Sequence, residues 1–442
     1  MFLFNFNFRS TLYNIYYYLI LKMDNILPPG IHNPSNFCYI ISTIQCLKNL
    51  RSIRKFINIS SKFDNIITTL LKSYDFKTVL NKEKFVEKIE VIEDKLKQSD
   101  EEILSITQEF KTKFNLTDID FNTYFKKLKL NSNNIYVYIA FLNLLKQLLN
   151  NTNTVLNIKE FLIIFRIVTM DNGNQYISRG QNDASEFLVF LIDYLHESHS
   201  SSVQLKDDIP QEKMRDSVIE QMDLNQRIRI GFLKHFKSSI KNNYTSLIND
   251  LHHYTLNMIK CKSCQFANLS YSMENLLCLS LYQQNNQNQV ISIYDTLNKH
   301  FEDEVIEGYA CDKCKNNNGN VISKMLLTYP DTYIICLKRT GYNIETGMME
   351  KLNITIEYPM ILNLKNYYPS YMNMDSKDGL YKLSGVVNQV GDNNFGHYFS
   401  FVYDDNLEKW HLYNDENVTL IDESKVINNS NAYLLFYQKV IN

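Results

Sequence analysis

At 442 residues with a formal net charge of −2, the chain carries no basic surplus for nucleic acid or a membrane surface. Its 45% hydrophobic and 13% aromatic content excludes a disordered chain. The length asks for two or three packed subdomains around large cores. Eight cysteines are too few for a disulfide framework in a chain this long. Four of them fall in two Cys-x-x-Cys pairs, which favours metal binding in a reducing compartment, cytoplasm or nucleus.

Residues 1–23 begin with alternating phenylalanines (Phe2, Phe4, Phe6, Phe8) and continue into an apolar run from Leu12 to Leu21. That run is too short for a spanning helix and lacks a basic n-region, so a dispensable or disordered leader is expected. A turn-rich loop, Pro28 to Asn36, then leads straight into an apolar segment beginning at Cys38. Ile40, Ile44 and Leu47 recur at helical spacing, which predicts a buried helix from Cys38 to about Phe56. A thiol at a helix N-terminus meets unpaired N–H groups and the positive end of the macrodipole, which favours the thiolate. The same N–H groups, with the Asn33 side chain, are suited to a developing oxyanion.

Between 58 and 132 Lys and Glu alternate with isolated apolar residues, which predicts a helical insertion with a solvated face. Two apolar helices are expected between Ile135 and Val168, broken at Asn150–Asn153. In Gln181-Asn182-Asp183-Ala184-Ser185-Glu186-Phe187-Leu188, Asp183 is placed to cap a helix, with Glu186 three residues on. The apolar face of that helix (Phe187, Leu188, Leu191, Leu195) is expected against the helix of Cys38. After about Tyr254 the pattern turns to strands: 255–259, 276–281, 332–337, then several between Leu380 and Phe436. Helices first and sheets later imply an α+β fold.

Cys261-Lys262-Ser263-Cys264 and Cys311-Asp312-Lys313-Cys314 can together supply four thiolates to one zinc ion. Four protein ligands leave no open coordination position, so such a zinc is structural. A nucleophilic cysteine needs a base, and Phe395-Gly396-His397-Tyr398 offers His397 near the other end of the chain. Trp410-His411-Leu412-Tyr413-Asn414-Asp415 brings an amide and a carboxylate, either of which can fix the imidazole, and strand alternation lets only one face it.

Taken together these segments resemble the ubiquitin-specific protease family of deubiquitinating cysteine enzymes. Its opening motif is matched by Gly30, Asn33, Cys38, Tyr39, Ser42, Gln45 and Leu47, and its second by Gln181, Asp183, Ala184, Glu186, Phe187 and Leu188. Its histidine motif is matched by Tyr381, Leu383, Gly385, Val386, Val387, Gly391, Gly396, His397, Tyr398, Trp410, Asn414 and Asp415. The resemblance spans about residues 26–440. It implies a papain-like thumb–palm–fingers architecture: thumb about 24–245, zinc-binding fingers about 254–330, palm about 331–442. It implies Cys38 as nucleophile, His397 as base and then acid, Asn414 as the orienting third member, Asp415 assisting, and Asn33 in the oxyanion hole. Gln181, Asp183, Glu186, Gly396 and Tyr398 would meet the tail of ubiquitin or a relative, and the zinc is structural. The implied partner is ubiquitin or a ubiquitinated protein, for a monomeric enzyme. Three positions depart from the pattern: Ser35 replaces a glycine, Phe37 a threonine and Ile41 an asparagine. A missing glycine restricts the turn that presents Asn33, so the rival expectation is a weakly active or inactive ubiquitin-binding module.

Overall fold

The structure is a computed structural model in which residues 27–57, 132–171, 182–203, 216–281, 290–343, 347–352, 354–370, 372, 377–391, 396–427 and 429–441 are described. The expected leader at 1–23 and the insertion at 58–131 lie outside the described residues. Among the described residues no helix is long and apolar enough to cross a membrane.

A helical lobe comes first. Helix α1 (Cys38–Leu47) is buried at every position, and a further helical stretch covers 51–57. Helices α2 (Ser132–Asn150), α3 (Lys159–Asp171) and α4 (Ala184–His199) follow; α2 packs on both α3 and α4, and α4 packs on α1. Phe187 of α4 meets Tyr39 of α1 edge-on, with ring centroids 6.2 Å apart, and also packs against Phe161 and Phe165 of α3. The break predicted at 150–153 falls where α2 ends, and a short strand follows it before α3. Strands β1 (Gly30–His32) and β2 (Val155–Asn157) pair in parallel. Asn153, at φ 51°, accepts the Leu27 N–H at 2.9 Å and fixes that pairing. Helices α5 (Leu224–Ile240) and α6 (Ser246–Leu251) close the lobe.

Two sheets follow. Strands β3 (His253–Lys260), β4 (Ala267–Glu274), β6 (Glu304–Ile306) and β7 (Asn320–Leu326) form one in the order β4-β3-β7-β6. The intervening β5 (Leu277–Ser280) leaves it for the larger sheet, and helix α7 (Ile293–His300) packs beside β5 before the chain returns. The larger sheet also holds β8 (Thr332–Lys338), β9 (Leu380–Gly391), β10 (Gly396–Asp404), β11 (Lys409–Asn414), β12 (Asn417–Ile421) and β13 (Ala432–Lys439). Its order is β12-β11-β10-β9-β13-β8-β5, with Ile361–Asn363 paired to the start of β9. All its pairings are antiparallel except β5 on β8. Its central strands, buried on both faces, read as apolar runs: β8 is TYIICLK and β13 is AYLLFYQK.

Helix α1 lies directly on β9 and β10. Gly385 of β9 permits this approach, since a Cβ there would sit 3.1 Å from the Cys46 sulfur. The first residue of α1 and the first residues of β10 thereby meet at one edge of the seam between helices and sheet.

Candidate active site

Cys38 opens α1 and is 3% exposed. Its first turn contains no acidic side chain, so nothing there opposes negative charge on the sulfur. From the sheet, the Tyr398 N–H donates to the Cys38 sulfur at 3.5 Å, across 360 residues of sequence. The neighbouring His397 interacts with that thiol, and the contact is the main reason its pKa is pushed up to about 9; burial opposes the rise and the Asn414 hydrogen bond adds to it. His397 Nε2 lies 2.6 Å from Asn414 Oδ1. An amide oxygen only accepts, so Nε2 carries the proton, and in the neutral ring Nδ1 is left as the acceptor facing the thiol.

The alternatives left open at Asn414 and Asp415 resolve cleanly. Asn414 ends β11 and faces His397. Asp415 sits at φ 52° in the turn to β12, so it leaves the strand alternation and reaches another loop. Its Oδ2 accepts from Asn33 Nδ2 at 3.0 Å. Burial raises the Asp415 pKa, opposed by the Asn33 hydrogen bond and by the nearby His397. Its Oδ1 is buried without a hydrogen-bond partner among the described residues.

The loop before α1 is braced from both ends. Asn33 Oδ1 accepts the N–H groups of Ser35 and Phe37, each at 3.2 Å, an arrangement that ties the loop to its own helix. Ser35 does not lie at positive φ, so the glycine expected there is not required and the restriction foreseen for this turn does not arise. On the outer side Glu416 accepts the Asn33 N–H at 3.1 Å and pairs with His32 Nδ1 at 2.6 Å. The Ile31 N–H donates to the Asp415 carbonyl at 2.9 Å. Gly30 is needed for this contact, because a Cβ there would fall 2.1 Å from the Glu416 carbonyl oxygen.

Beyond Tyr398 the site continues along an aromatic wall. The Tyr398 and Tyr433 ring centroids are 6.1 Å apart, and the Tyr433 hydroxyl donates to Asp183 Oδ2 at 2.6 Å. Asp183 Oδ1 caps α4, accepting from the N–H groups of Ser185 at 2.7 Å and Glu186 at 3.2 Å. The capping role foreseen for Asp183 is therefore filled, and both oxygens are engaged within the chain. Glu186 is exposed one turn along; burial and then the Asp183 charge raise its pKa. Gly396 pairs with Gly391 at the mouth of the β9–β10 hairpin. Gln181 lies outside the described residues. Tyr433, Glu416 and His32 were not singled out in the sequence; only Glu416, next to Asp415, carried any hint.

At the tip of the smaller sheet the sulfurs of Cys261, Cys264, Cys311 and Cys314 all lie within 4.8 Å of one another. Cys261–Cys314 and Cys264–Cys311 are each 3.6 Å apart. A tetrahedron of sulfurs at the usual zinc–sulfur length has edges of about 3.8 Å, so the set fits a bound metal ion. The two knuckles are built alike. Gln265 and Lys315 follow the second cysteines at φ 58° and 59°, and the Gln265 and Lys315 N–H groups return to the Cys261 and Cys311 carbonyls at 3.0 and 2.9 Å.

A family model described as "Ubiquitin carboxyl-terminal hydrolase" matches residues 29–437. Among curated proteins, the "Probable ubiquitin carboxyl-terminal hydrolase R319" of Acanthamoeba polyphaga mimivirus is 31% identical over 179 residues, 40% of this chain and 37% of that protein. The human "Ubiquitin carboxyl-terminal hydrolase 21" is 22% identical over 287 residues, 62% of this chain and 48% of that protein. The chain thus spans about a third to a half of the length of these relatives. Among solved structures, that of the SAGA Ubp8/Sgf11/Sus1/Sgf73 DUB module bound to ubiquitin aldehyde aligns with a TM-score of 0.58 at 17% identity, covering 99% of this chain and 77% of that one. This likeness shows that the chain shares its fold with that module, in keeping with the thumb–palm–fingers architecture expected from the motifs. With a family match running from just before the cysteine loop to the last strand of the sheet that carries His397 and Asn414, the chain belongs to the ubiquitin carboxyl-terminal hydrolase family, among the ubiquitin-specific proteases.

Proposed function

We propose that the protein is a deubiquitinating thiol hydrolase that cleaves the peptide or isopeptide bond after the C-terminal glycine of ubiquitin or a ubiquitin-like protein. The observation that carries this reading is the line from the Cys38 sulfur through the His397 imidazole to Asn414 Oδ1, with Nε2–Oδ1 at 2.6 Å. His397 takes the Cys38 proton, and the thiolate attacks the scissile carbonyl carbon. The Asn33 amide, held by Asp415, donates to the oxyanion; losing one such donor costs about 3–4 kcal/mol in other enzymes. His397 returns the proton to the leaving lysine or α-amine, and water activated by the same ring hydrolyses the thioester. The exposed Glu186 carboxylate suits a basic residue of an incoming ubiquitin tail, with Gly396 and Tyr398 lining its path. The four-cysteine cluster would hold Zn²⁺, which would fasten the tip of the smaller sheet. The eight free thiols suit a reducing compartment such as cytoplasm or nucleus. Ubiquitin binding without turnover, the rival reading, rested on Ser35 and Phe37, and both sit in a loop that Asn33 holds in order.

The test is cleavage of a fluorogenic ubiquitin C-terminal amide by wild type, Cys38→Ala and His397→Ala, with circular dichroism to verify folding. Turnover should be lost in both variants while the spectrum is unchanged. Retained cleavage by Cys38→Ala would overturn the proposal.

A further inference from the structure

Away from Cys38 and the four-cysteine cluster, two thiols share a register position in the larger sheet. Strands β5 and β8 run parallel, and Cys278 is the direct partner of Cys336. Partners in register project to the same face, and neighbouring strands lie about 4.8 Å apart, inside the Cα window for a disulfide. Strand β5 is the edge of the sheet, so Cys278 is partly exposed, whereas Cys336 is 4% exposed. Both are free thiols.

Their surroundings assign them different parts. The Cys278 pKa is drawn down to about 7, first by the Cys336 thiol beside it and further by the Lys338 charge, against burial. Cys336 is pushed well up, first by Cys278 and then by burial. The pair titrates as a unit in which the accessible sulfur ionises and the buried one keeps its proton. An accessible thiolate with a thiol alongside is the arrangement of an attacking and a resolving cysteine.

We infer that Cys278 and Cys336 are a redox modification site, closed into a cross-strand disulfide by hydrogen peroxide and reopened by a dithiol reductant. The Cys278 thiolate attacks one peroxide oxygen, the O–O bond breaks, and the departing hydroxide takes a proton and leaves as water. The resulting Cys278 sulfenic acid is attacked by the Cys336 sulfur, which gives up its proton as the hydroxyl departs as a second water. Two thiols lose two electrons, and one peroxide gains them.

The position links this chemistry to the candidate active site. The Cys336 thiol interacts with the Tyr433 hydroxyl, which in turn holds Asp183. Closing the bond draws the Cys336 sulfur toward β5 and away from that wall. A resulting rise in KM rests on the deubiquitinase reading; the disulfide itself does not.

The experiment uses the full chain carrying Cys38→Ser and purified with zinc, so that catalytic-thiol chemistry cannot contribute. After limited hydrogen peroxide and alkylation of remaining thiols, non-reducing peptide mapping by mass spectrometry should find the Cys278 and Cys336 peptides joined, two hydrogens lighter than the reduced pair, and separated by dithiothreitol. In Cys336→Ser, added to the same background, dimedone should trap a sulfenic acid at Cys278. Alkylation of both thiols after peroxide exposure, or conversion of Cys278 to sulfinic acid with Cys336 present, would overturn the inference. Neither outcome depends on ubiquitin cleavage, so failure here and failure of the functional proposal are distinguishable.

Discussion

The smallest unit that decides the chemistry is the hydrogen bond between His397 and Asn414. It holds the ring in one tautomer and, after the Cys38 contact, helps to lift the His397 pKa to about 9. A histidine raised above its ordinary 6.5 stays protonated in the fold until pH rises through that higher value. The imidazolium that protonates the leaving amine should therefore persist into alkaline solution, with kcat/KM falling near pH 9 as the ring loses its proton. Asn414→Ala removes one raising contact, so this limb should move down by about one unit, the size of one charge-assisted hydrogen bond. A profile for the ubiquitin amide over roughly pH 6 to 10 measures it, and an unmoved limb would deny Asn414 the orienting role. The stability that the imidazolium contributes follows the same sign, present below pH 6.5 and lost as pH rises through about 9. Cys38, His397 and Asn414 were legible in the sequence because few residue types do this work and each stood in a telling local context. Asp415 was legible only as a rival to Asn414. Its reach to Asn33 depends on a positive φ that strand alternation does not foresee. Tyr433 read as one more apolar strand residue, since its hydroxyl contact with Asp183 spans 250 positions.

Among elements, the Cys-x-x-Cys knuckles show the same division between local and non-local information. Their pairing was readable from spacing, and the strands beside them from β-branched and aromatic runs. The path between them was not. The intervening chain gives β5 to the larger sheet and α7 to its flank before returning as β6. The β1–β2 pairing escaped notice for a like reason: each partner is three residues long and reads as part of a turn. The excursion through β5 sharpens what metal removal should do. The smaller sheet has only a modest core of its own around Tyr254, Leu256, Met258 and Ala267, and ligand-held tips lose their order with the ion. Chelation should speed amide exchange in β4, β6 and the knuckles, while Leu277–Leu279, buried in the core of the larger sheet, stays protected. Hydrogen exchange read by mass spectrometry, with and without chelator, resolves these segments. Uniform loss of protection across 253–326 would mean that the metal holds far more than the tip.

At the scale of the whole molecule, helices and sheet are brought into register by the segment that follows α1. Asn49 Nδ2 donates to the Tyr403 carbonyl at 3.0 Å, the Arg51 N–H to Gln438 Oε1 at 2.8 Å, and the Ser52 and Thr332 hydroxyls lie 2.8 Å apart. Lys48 is the costly member of this seam. It is 3% exposed, bonded to the Tyr413 hydroxyl at 3.0 Å and stacked on that ring. Burial pulls its pKa down to about 7, with the Asp404 charge opposing. Between pH 7 and the ordinary lysine value of 10.5, the unfolded chain binds a proton that the folded one does not, so stability from this group rises with pH across that window. Below it, folding must bury a cation. Lys48→Met carries no such proton, and its stability relative to wild type should fall as pH rises from neutral to alkaline. Each pKa unit is worth about 1.4 kcal/mol, so the change over the window is on the order of a few kcal/mol. Leaving the Tyr413 hydroxyl without its partner costs the variant a roughly pH-independent 1–3 kcal/mol, which shifts the difference curve without changing its slope. Urea unfolding of both proteins at several pH values isolates that slope, because every other titrating group cancels in the comparison. Parallel curves would show that Lys48 folds as a charged residue and that the seam carries a buried cation at no cost to the fold.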